Sequence, residues 1–96
     1  MRQFGAQSAA HSSDARTLDE TAKRVAVSKA GARVCREMKV GISERDWIRG
    51  KVIEVGPKSI RVEIYDAGRF PQTLGATELK NGVSIWDNPA NWTPCS

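Results

Sequence analysis

Residues 48–65 read IRGKVIEVGPKSIRVEIY, and apolar side chains alternate with polar ones on both sides of a Gly-Pro pair. The second half alternates most strictly, with branched apolar residues at positions 60, 62 and 64 facing one side of an extended chain. Gly56-Pro57 marks a turn between the two halves. The pattern therefore predicts an antiparallel β-hairpin with one apolar and one polar face.

The register of this hairpin follows from its turn. If Val55 pairs with Ser59, paired residue numbers sum to 114 along both strands. The inner face then pairs Ile48 with Asp66, Gly50 with Ile64 and Val52 with Val62, and the outer face pairs Arg49 with Tyr65, Lys51 with Glu63 and Ile53 with Arg61. Apolar residues meet apolar ones and opposite charges meet each other, so local and global preferences agree.

The period of two also runs through the segment before the hairpin. Ala32, Val34 and Met38 alternate with polar residues, which predicts a half-buried strand. One charged residue, Arg36, falls on the apolar side of that strand. We therefore expect the strand to lie at a sheet edge or to contain a bulge.

Shorter elements follow the hairpin. Residues 70–74 predict a short strand, and Pro71 suits an edge position because proline lacks a backbone donor. Residues 77–82 predict a single helical turn with Thr77 as its cap and Asn81-Gly82 as its stop. Residues 83–86 predict a last strand.

The segment before the strands has two interpretations. Thr17 and Glu20 form a capping-box pattern, and four apolar residues share one helical face: Leu18, Ala22, Val25 and Ala26. Val25 and Val27 also alternate as in a strand, so residues 17–30 form a short helix or a leading strand. Residues 1–16 have too little apolar surface to become ordered by burial, which predicts a flexible arm.

Together these elements predict a mainly β fold. We expect a single five-stranded SH3-like barrel over residues 31–87, preceded by the short helix and the flexible N-terminal arm and followed by an irregular tail, residues 88–96. Closing the sheet is how about 55 to 60 residues bury a core. Because an exposed indole is costly, Trp92 of the tail is expected to cover an open end of the barrel.

Two families of small barrels resemble parts of this pattern. Gly31-Ala32-Arg33-Val34, followed by residues 50–64, resembles the KOW-type barrel of ribosomal and transcription-elongation proteins, where a Gly-Lys-Val strand turns through Pro-Lys into a Val-rich partner. Residues 47–52, residues 61–68 and Glu78-Leu79 resemble the strand order of Tudor domains. Both resemblances imply an SH3-like barrel over about residues 31–86 and are specific for fold rather than for function.

The Tudor resemblance also carries an expectation about ligands. Tudor domains that bind methylated side chains surround the cation with aromatic rings. The corresponding positions of this chain hold no aromatic residue; they lie near Met38, Ile48, Ile64 and Ala67. We therefore expect no binding of methylated side chains.

Positive charge is concentrated in one part of the chain. The net charge is +4, and residues 21–69 carry 12 basic and 6 acidic groups. The outer face of the predicted hairpin and its flank bring together basic and aromatic residues: Arg45, Trp47, Arg49, Lys51, Arg61 and Tyr65. Basic groups interleaved with aromatic rings suit a phosphate backbone with unstacked bases.

These features predict a non-enzymatic small binding module that associates with RNA or DNA through the basic sheet face. The alternative is a protein–protein interaction adaptor or accessory subunit of a larger assembly, without nucleic-acid contact. A face that is only solvated is the third interpretation, because a net charge of this size is usual for solubility.

The sequence lacks the residue patterns typical of zinc sites and of enzyme active sites. The single histidine, His11, lies in the predicted arm, and neither Cys35 nor Cys95 has a close Cys or His partner for zinc or an evident catalytic base. We expect no enzyme activity, no cofactor, no metal and no small-molecule substrate. No apolar stretch approaches the length of a membrane span, so we expect no membrane contact, a cytoplasmic location and two free thiols.

Overall fold

The computed structural model describes residues 20–95 and is mainly β. Helix α1 covers residues 20–27. The strands are β1 (Arg33–Val40), β2 (Glu44–Val55), β3 (Ile60–Asp66), β4 (Thr73–Leu74), β5 (Thr77–Glu78), β6 (Ser84–Asp87) and β7 (Thr93–Pro94), with a 3₁₀ turn at Pro89–Asn91. The predicted arm, residues 1–16, and the capping box at Thr17 lie outside the described residues. Within the described part, no helix is long and apolar enough to cross a membrane.

Five strands form one antiparallel sheet in the order β6-β3-β2-β1-β7, and β4 pairs with β5 in a separate hairpin. The mainly β class is confirmed. The large sheet is open, with β6 and β7 at its edges. Its fifth strand is β7 from the tail, a segment expected to be irregular. Of the strand predicted at residues 70–74, only β4 is formed. The segment predicted as a helical turn, residues 77–82, begins with β5 instead, because β5 pairs with β4.

The predicted hairpin register holds at its centre, where Gly50 pairs with Ile64, Lys51 with Glu63 and Val52 with Val62. Gly50 is required there because a Cβ at this position would overlap the Val62 side chain. The two ends of the hairpin differ from the prediction, and each difference is a one-residue shift.

At the turn, the N–H of Gly56 donates to the carbonyl oxygen of Ser59 at 2.8 Å, so the turn takes four residues. Val55 therefore pairs with Ile60 rather than with Ser59, and Ile53 is left as the extra residue of a bulge. At the other end Arg49 pairs with Asp66 instead of Tyr65, which makes Tyr65 the extra residue of a second bulge.

The core lies against the inner face of the sheet. Its buried apolar residues come from α1, from the four long strands, from the segment after β5 and from the tail: Val27, Val34, Ile48, Val52, Ile60, Val62, Ile64, Leu79, Ile85 and Trp92. The predicted inward apolar side chains of β2 and β3 are among them, whereas Asp66, which was also predicted on the inner face, is exposed. Trp92 is fully buried, which confirms that the tail folds back over the core.

Helix α1 confirms the helical interpretation over its described residues, but a different face packs. Val27 is buried, while Val25 is 55% exposed and Ala22 and Ala26 are exposed. The chain after the helix is fixed to β2, since the N–H of Gly31 donates to the carbonyl oxygen of Val52 at 2.7 Å. This attachment places Val27, at the end of the helix, over the core.

At Arg36 β1 is an edge, as expected, because β7 pairs only with Val34 and Cys35. There is no bulge, since β1 pairs continuously with β2, and an ion pair accommodates the Arg36 charge. The Arg36 Nη1 donates to Asp87 Oδ2 of β6 at 2.9 Å, and the Trp92 indole Nε1 donates to the same oxygen at 2.9 Å. In a flat sheet β1 and β6 would be about 14 Å apart. Their side-chain contact therefore shows that the sheet curls until its two ends approach each other.

A disulfide bond joins Cys35 of β1 to Cys95, with a Cα–Cα distance of 5.3 Å. The expectation of two free thiols was wrong. β7 brings the cysteines together by pairing Thr93 with Cys35, and the N–H of Cys95 donates to the Arg33 carbonyl oxygen at 3.1 Å. The bridge fastens the C-terminal segment to the outer face of β1.

A substitution at Val62 tests the packing of the core. It is fully buried and pairs with Val52 on one side and Ile85 on the other. Val62→Ala is expected to lower the free energy of unfolding by about 1.5 to 3 kcal/mol, measured by urea denaturation. Val55→Ala, at a position 47% exposed in the same hairpin, is the matched control and should change it by under about 0.5 kcal/mol. Equal effects of the two variants would contradict this core.

A second prediction about stability concerns the disulfide. Because the bridge closes a loop of 60 residues, reducing it should lower the free energy of unfolding by about 2 to 4 kcal/mol. The measurement is urea denaturation with and without dithiothreitol. The double variant Cys35→Ser/Cys95→Ser should be insensitive to the reductant, and an unchanged midpoint for the reduced parent chain would show that the bridge contributes nothing.

Candidate functional site

The outer face of β2 carries four of the six residues that the sequence predicts for nucleic-acid binding. Inward positions 46, 48, 50 and 52 are buried, so the alternate positions are forced outward. The outward residues are Arg45, Trp47, Arg49 and Lys51, and all four are exposed. They form one row along the strand, with neighbours about 6.7 Å apart.

β1 adds two basic residues to this face that the prediction missed. The cross-strand pairs are Arg33–Lys51, Cys35–Arg49, Glu37–Trp47 and Lys39–Arg45. We call these eight residues the β1–β2 face; five are basic and one is acidic. Arg33 and Lys39 are outward residues of the alternating pattern in β1, which is the signal that would have found them.

Two of the predicted cations are already held by carboxylates. The Arg45 Nη1 lies 3.0 Å from Glu37 Oε1, and the Arg61 Nη1 lies 2.9 Å from Glu54 Oε1. The Arg61 Nε also donates to Ser84 Oγ at 3.1 Å, so the guanidinium is held between Glu54 of β2 and Ser84 of β6. Within residues 20–95, no ion pair involves Arg33, Arg49 or Lys51.

Tyr65 lies beside the face and not within it. It is 44% exposed and is the extra residue of the bulge next to Asp66, the cross-strand partner of Arg49. The structure therefore brings together Arg45, Trp47, Arg49 and Lys51 as predicted, and places Arg61 and Tyr65 on β3 outside this row.

Trp47 and Arg49 separate two shallow depressions. One, of about 360 Å³, lies toward Arg45, Asp66 and Arg69. The other, of about 240 Å³, lies toward the disulfide and is bordered by Thr93 and Pro94. The Trp47 ring, 46% exposed, thus forms part of the wall of both depressions.

Asp46 is a buried acid beneath this face, and the sequence analysis did not single it out. Its side chain is 5% exposed. It accepts four hydrogen bonds: from the N–H of Trp47 at 3.0 Å, of Arg69 at 2.8 Å and of Phe70 at 3.0 Å, and from Gln72 Nε2 at 3.1 Å. The loop after β3 is therefore wrapped around a single carboxylate. The sequence signal for Asp46 was an acid at an inward position of a strictly alternating strand.

Gly68 makes this wrapping possible. Its φ is +85°, and a Cβ there would overlap the Asp46 carboxylate. Glycine both adopts this backbone conformation without strain and leaves room for the carboxyl group. The loop that borders the larger depression thus depends on Gly68 and Asp46 together.

The electrostatics of Asp46 follow from its partners. Burial by itself would raise the pKa of the Asp46 carboxyl, but the backbone N–H groups of Phe70, Arg69 and Trp47, with the charge of Arg69, outweigh burial. The pKa is therefore held below its ordinary value of 3.8. The ionised form is the one that the folded chain prefers.

Comparison of the chain with models of protein families, with curated proteins and with solved structures finds no match. The resemblance to KOW-type and Tudor-type barrels stays a prediction. The chemistry of the β1–β2 face is therefore the basis on which a function is proposed.

Asp46 predicts how stability depends on pH. A carboxyl whose pKa is lower in the folded than in the unfolded chain stabilises the fold above the unfolded value and loses that contribution as pH falls through the folded value. The free energy of unfolding should therefore fall as the pH is lowered through the ordinary value of 3.8 and below it. Asp46→Asn should make this fall shallower, whereas Asp66→Asn, at an exposed acid at the end of β3, should change it less. Identical pH profiles for the parent chain and Asp46→Asn would contradict this role.

Proposed function

We propose that this protein is a non-enzymatic binding module that associates with RNA or DNA through the β1–β2 face. The observation that carries the proposal is the pairing of like charges across two strands. Arg33 lies directly opposite Lys51, and neither residue takes part in an ion pair within residues 20–95. Like charges in such a pair destabilise a sheet, and a polyanion on the face reduces that repulsion.

The spacing of the cations supports the same ligand. Outward residues follow one another at about 6.7 Å along β2, so the strand presents a regular series of side chains. A polynucleotide is a regular series of phosphates, and each phosphate neutralised by a cation releases a counterion. Regular cations with few acids among them therefore support a nucleic acid more than a compact anion.

We also propose that the described fold is an SH3-like barrel. β1, β2, β3 and β6 follow one another in the sheet, and after the 3₁₀ turn the chain returns to β1 as β7. The two edge strands are thus joined by only residues 88–92. Asp87 supports the approach of the edges, because it bonds Arg36 of β1 and Trp92 of the tail. On this proposal the barrel includes β7 and extends beyond residue 87.

A protein partner is the second candidate, and a different surface favours it. Trp86 is 49% exposed, with Val55 47% and Ile53 38% exposed on the neighbouring hairpin. A Cβ at Gly56 would come within 3.4 Å of the Trp86 ring, so the indole lies against the turn. Exposed apolar residues of this kind suit a protein–protein contact.

The cytoplasmic location expected from the sequence stays a prediction. The Cys35–Cys95 disulfide bears on it, because thiol buffers keep most cytosolic cysteines reduced. The bridge itself favours an oxidising compartment, and nucleic-acid binding by the β1–β2 face does not depend on either location.

The proposal is tested by a salt titration of binding to short RNA and DNA oligonucleotides, followed by fluorescence anisotropy. Affinity should fall linearly in a plot of log K against log salt concentration. Arg49→Gln/Lys51→Gln should make the slope shallower by about 1.4 to 1.8, since each lost phosphate contact removes about 0.7 to 0.9. The thermal midpoint should stay nearly unchanged because both residues are exposed.

Two controls make this experiment specific. Lys23→Gln/Lys58→Gln removes the same charge from exposed positions of α1 and the hairpin turn, and should leave the slope nearly unchanged. Arg61→Gln should also have little effect, because Glu54 and Ser84 already hold its guanidinium. Absence of binding at low salt, or equal losses in both double variants, would rule out this face as the site.

A further inference from the structure

Phosphate binding by the β1–β2 face does not explain the presence of Trp47 in that face. Phosphates need cations, yet an indole stands in the middle of the basic row with 46% of its surface exposed. Its cross-strand partner Glu37 is drawn to Arg45 by an ion pair of 3.0 Å. The ring is therefore bordered by cations along β2 and faces solvent.

The backbone beneath this ring is firmly held. The N–H of Trp47 donates to Asp46 Oδ1 at 3.0 Å, and the other oxygen of that carboxylate is fixed by three donors of the loop, Arg69, Phe70 and Gln72. An aromatic side chain on a rigid strand loses little conformational freedom when a ligand binds. Trp47 thus has the properties of a preorganised stacking platform.

Space for planar groups lies on both sides of the ring. The depressions of about 360 Å³ and about 240 Å³ meet at Trp47 and Arg49. Both are open to solvent along the sheet surface, and both have polar borders, Asp66 on one side and Thr93 on the other. A base stacked on the indole would therefore have room for its neighbours along the strand.

A duplex fits this surface poorly. A two-stranded ribbon reads a duplex by entering the major groove. Beneath Trp47 the loop at residues 69–72 covers the inner side of the ribbon, because Arg69, Phe70 and Gln72 donate to Asp46. The ribbon is therefore thicker there than two bare strands, and the bases of a duplex offer no free ring face to Trp47.

From these observations we infer that the ligand is an extended single strand of RNA or DNA, with one base stacked on Trp47 and neighbouring phosphates near Arg49 and Lys51, which have no ion pair within residues 20–95. The inference rests on the proposed function and names its substrate class. Base stacking is tolerant of sequence because every base has a ring face, so we expect weak sequence preference.

The test compares two tryptophans of almost equal exposure. Trp47→Ala should weaken binding of a ten-nucleotide single strand by about 5-fold to 100-fold, and Trp47→Phe, which keeps a ring, should retain most of the affinity. Trp86→Ala is the matched control, since Trp86 is 49% exposed on β6, outside the β1–β2 face, and should have little effect. The salt slope of Trp47→Ala should equal that of the parent chain, because an indole carries no charge.

Three ligands complete the experiment: oligo(U), oligo(dT) and a duplex of equal length and mixed sequence. Both single strands should bind more tightly than the duplex and should quench the fluorescence of the Trp86→Phe/Trp92→Phe variant, in which Trp47 is the sole tryptophan. If Trp92→Phe weakens folding, the Trp86→Phe variant serves instead. The ratio of oligo(U) to oligo(dT) affinity identifies RNA or DNA as the preferred strand.

The outcomes separate the two proposals. Salt-dependent binding in which the duplex is preferred, or in which Trp47→Ala has no effect, would overturn base stacking while leaving phosphate binding by this face intact. No binding of any of the three ligands at low salt would overturn the proposed function itself. A protein partner would then have to be sought at the surface around Trp86.

Discussion

β2 packs between β1 and β3, and this packing determines how the other elements are arranged. Ile48 and Val52 of β2 are fully buried, and Gly50 lets the Val62 side chain approach the strand. A strand with one buried face has a fixed alternation, because a shift by one residue would turn every buried side chain outward. The same alternation forces Arg49 and its neighbours into one exposed row. The basic face is thus a direct consequence of the core.

Two charged residues at inward positions explain how the parts outside the main hairpin are arranged. Arg36 and Asp46 cannot lie among apolar side chains without partners. Arg36 takes Asp87, which also binds the Trp92 indole and so joins β1, β6 and the tail. Asp46 takes the backbone of the loop after β3. Each inward charge therefore fixes a distant segment of the chain: Arg36 fixes the tail and Asp46 fixes the loop after β3. These segments border the two depressions beside Trp47.

The disulfide and the like-charge pairs give the β1–β2 face its chemical character. Cys35–Cys95 holds the end of the chain against β1 and forms the border of the smaller depression. Arg33 lies opposite Lys51, a like-charge pair of an unfavourable kind, while Glu63 is the partner of Lys51 on its other side. An anionic ligand would reduce the repulsion between Arg33 and Lys51, which connects the electrostatics of the fold with the proposed binding of a single-stranded nucleic acid.

Alternation of apolar and polar residues is encoded between near neighbours, and it was enough to predict β1, β2, β3 and β6, the centre of the hairpin register, the buried face of β2 and β3, and the basic row on β2. Other features arise from long-range contacts: β5 and β7, the two bulges, the disulfide between residues 60 apart and the ion pair of Arg61 with Glu54. These features depend on where the chain returns after long connections. Local sequence patterns do not predict where the chain returns, because its position depends on how the whole sheet curls over the core.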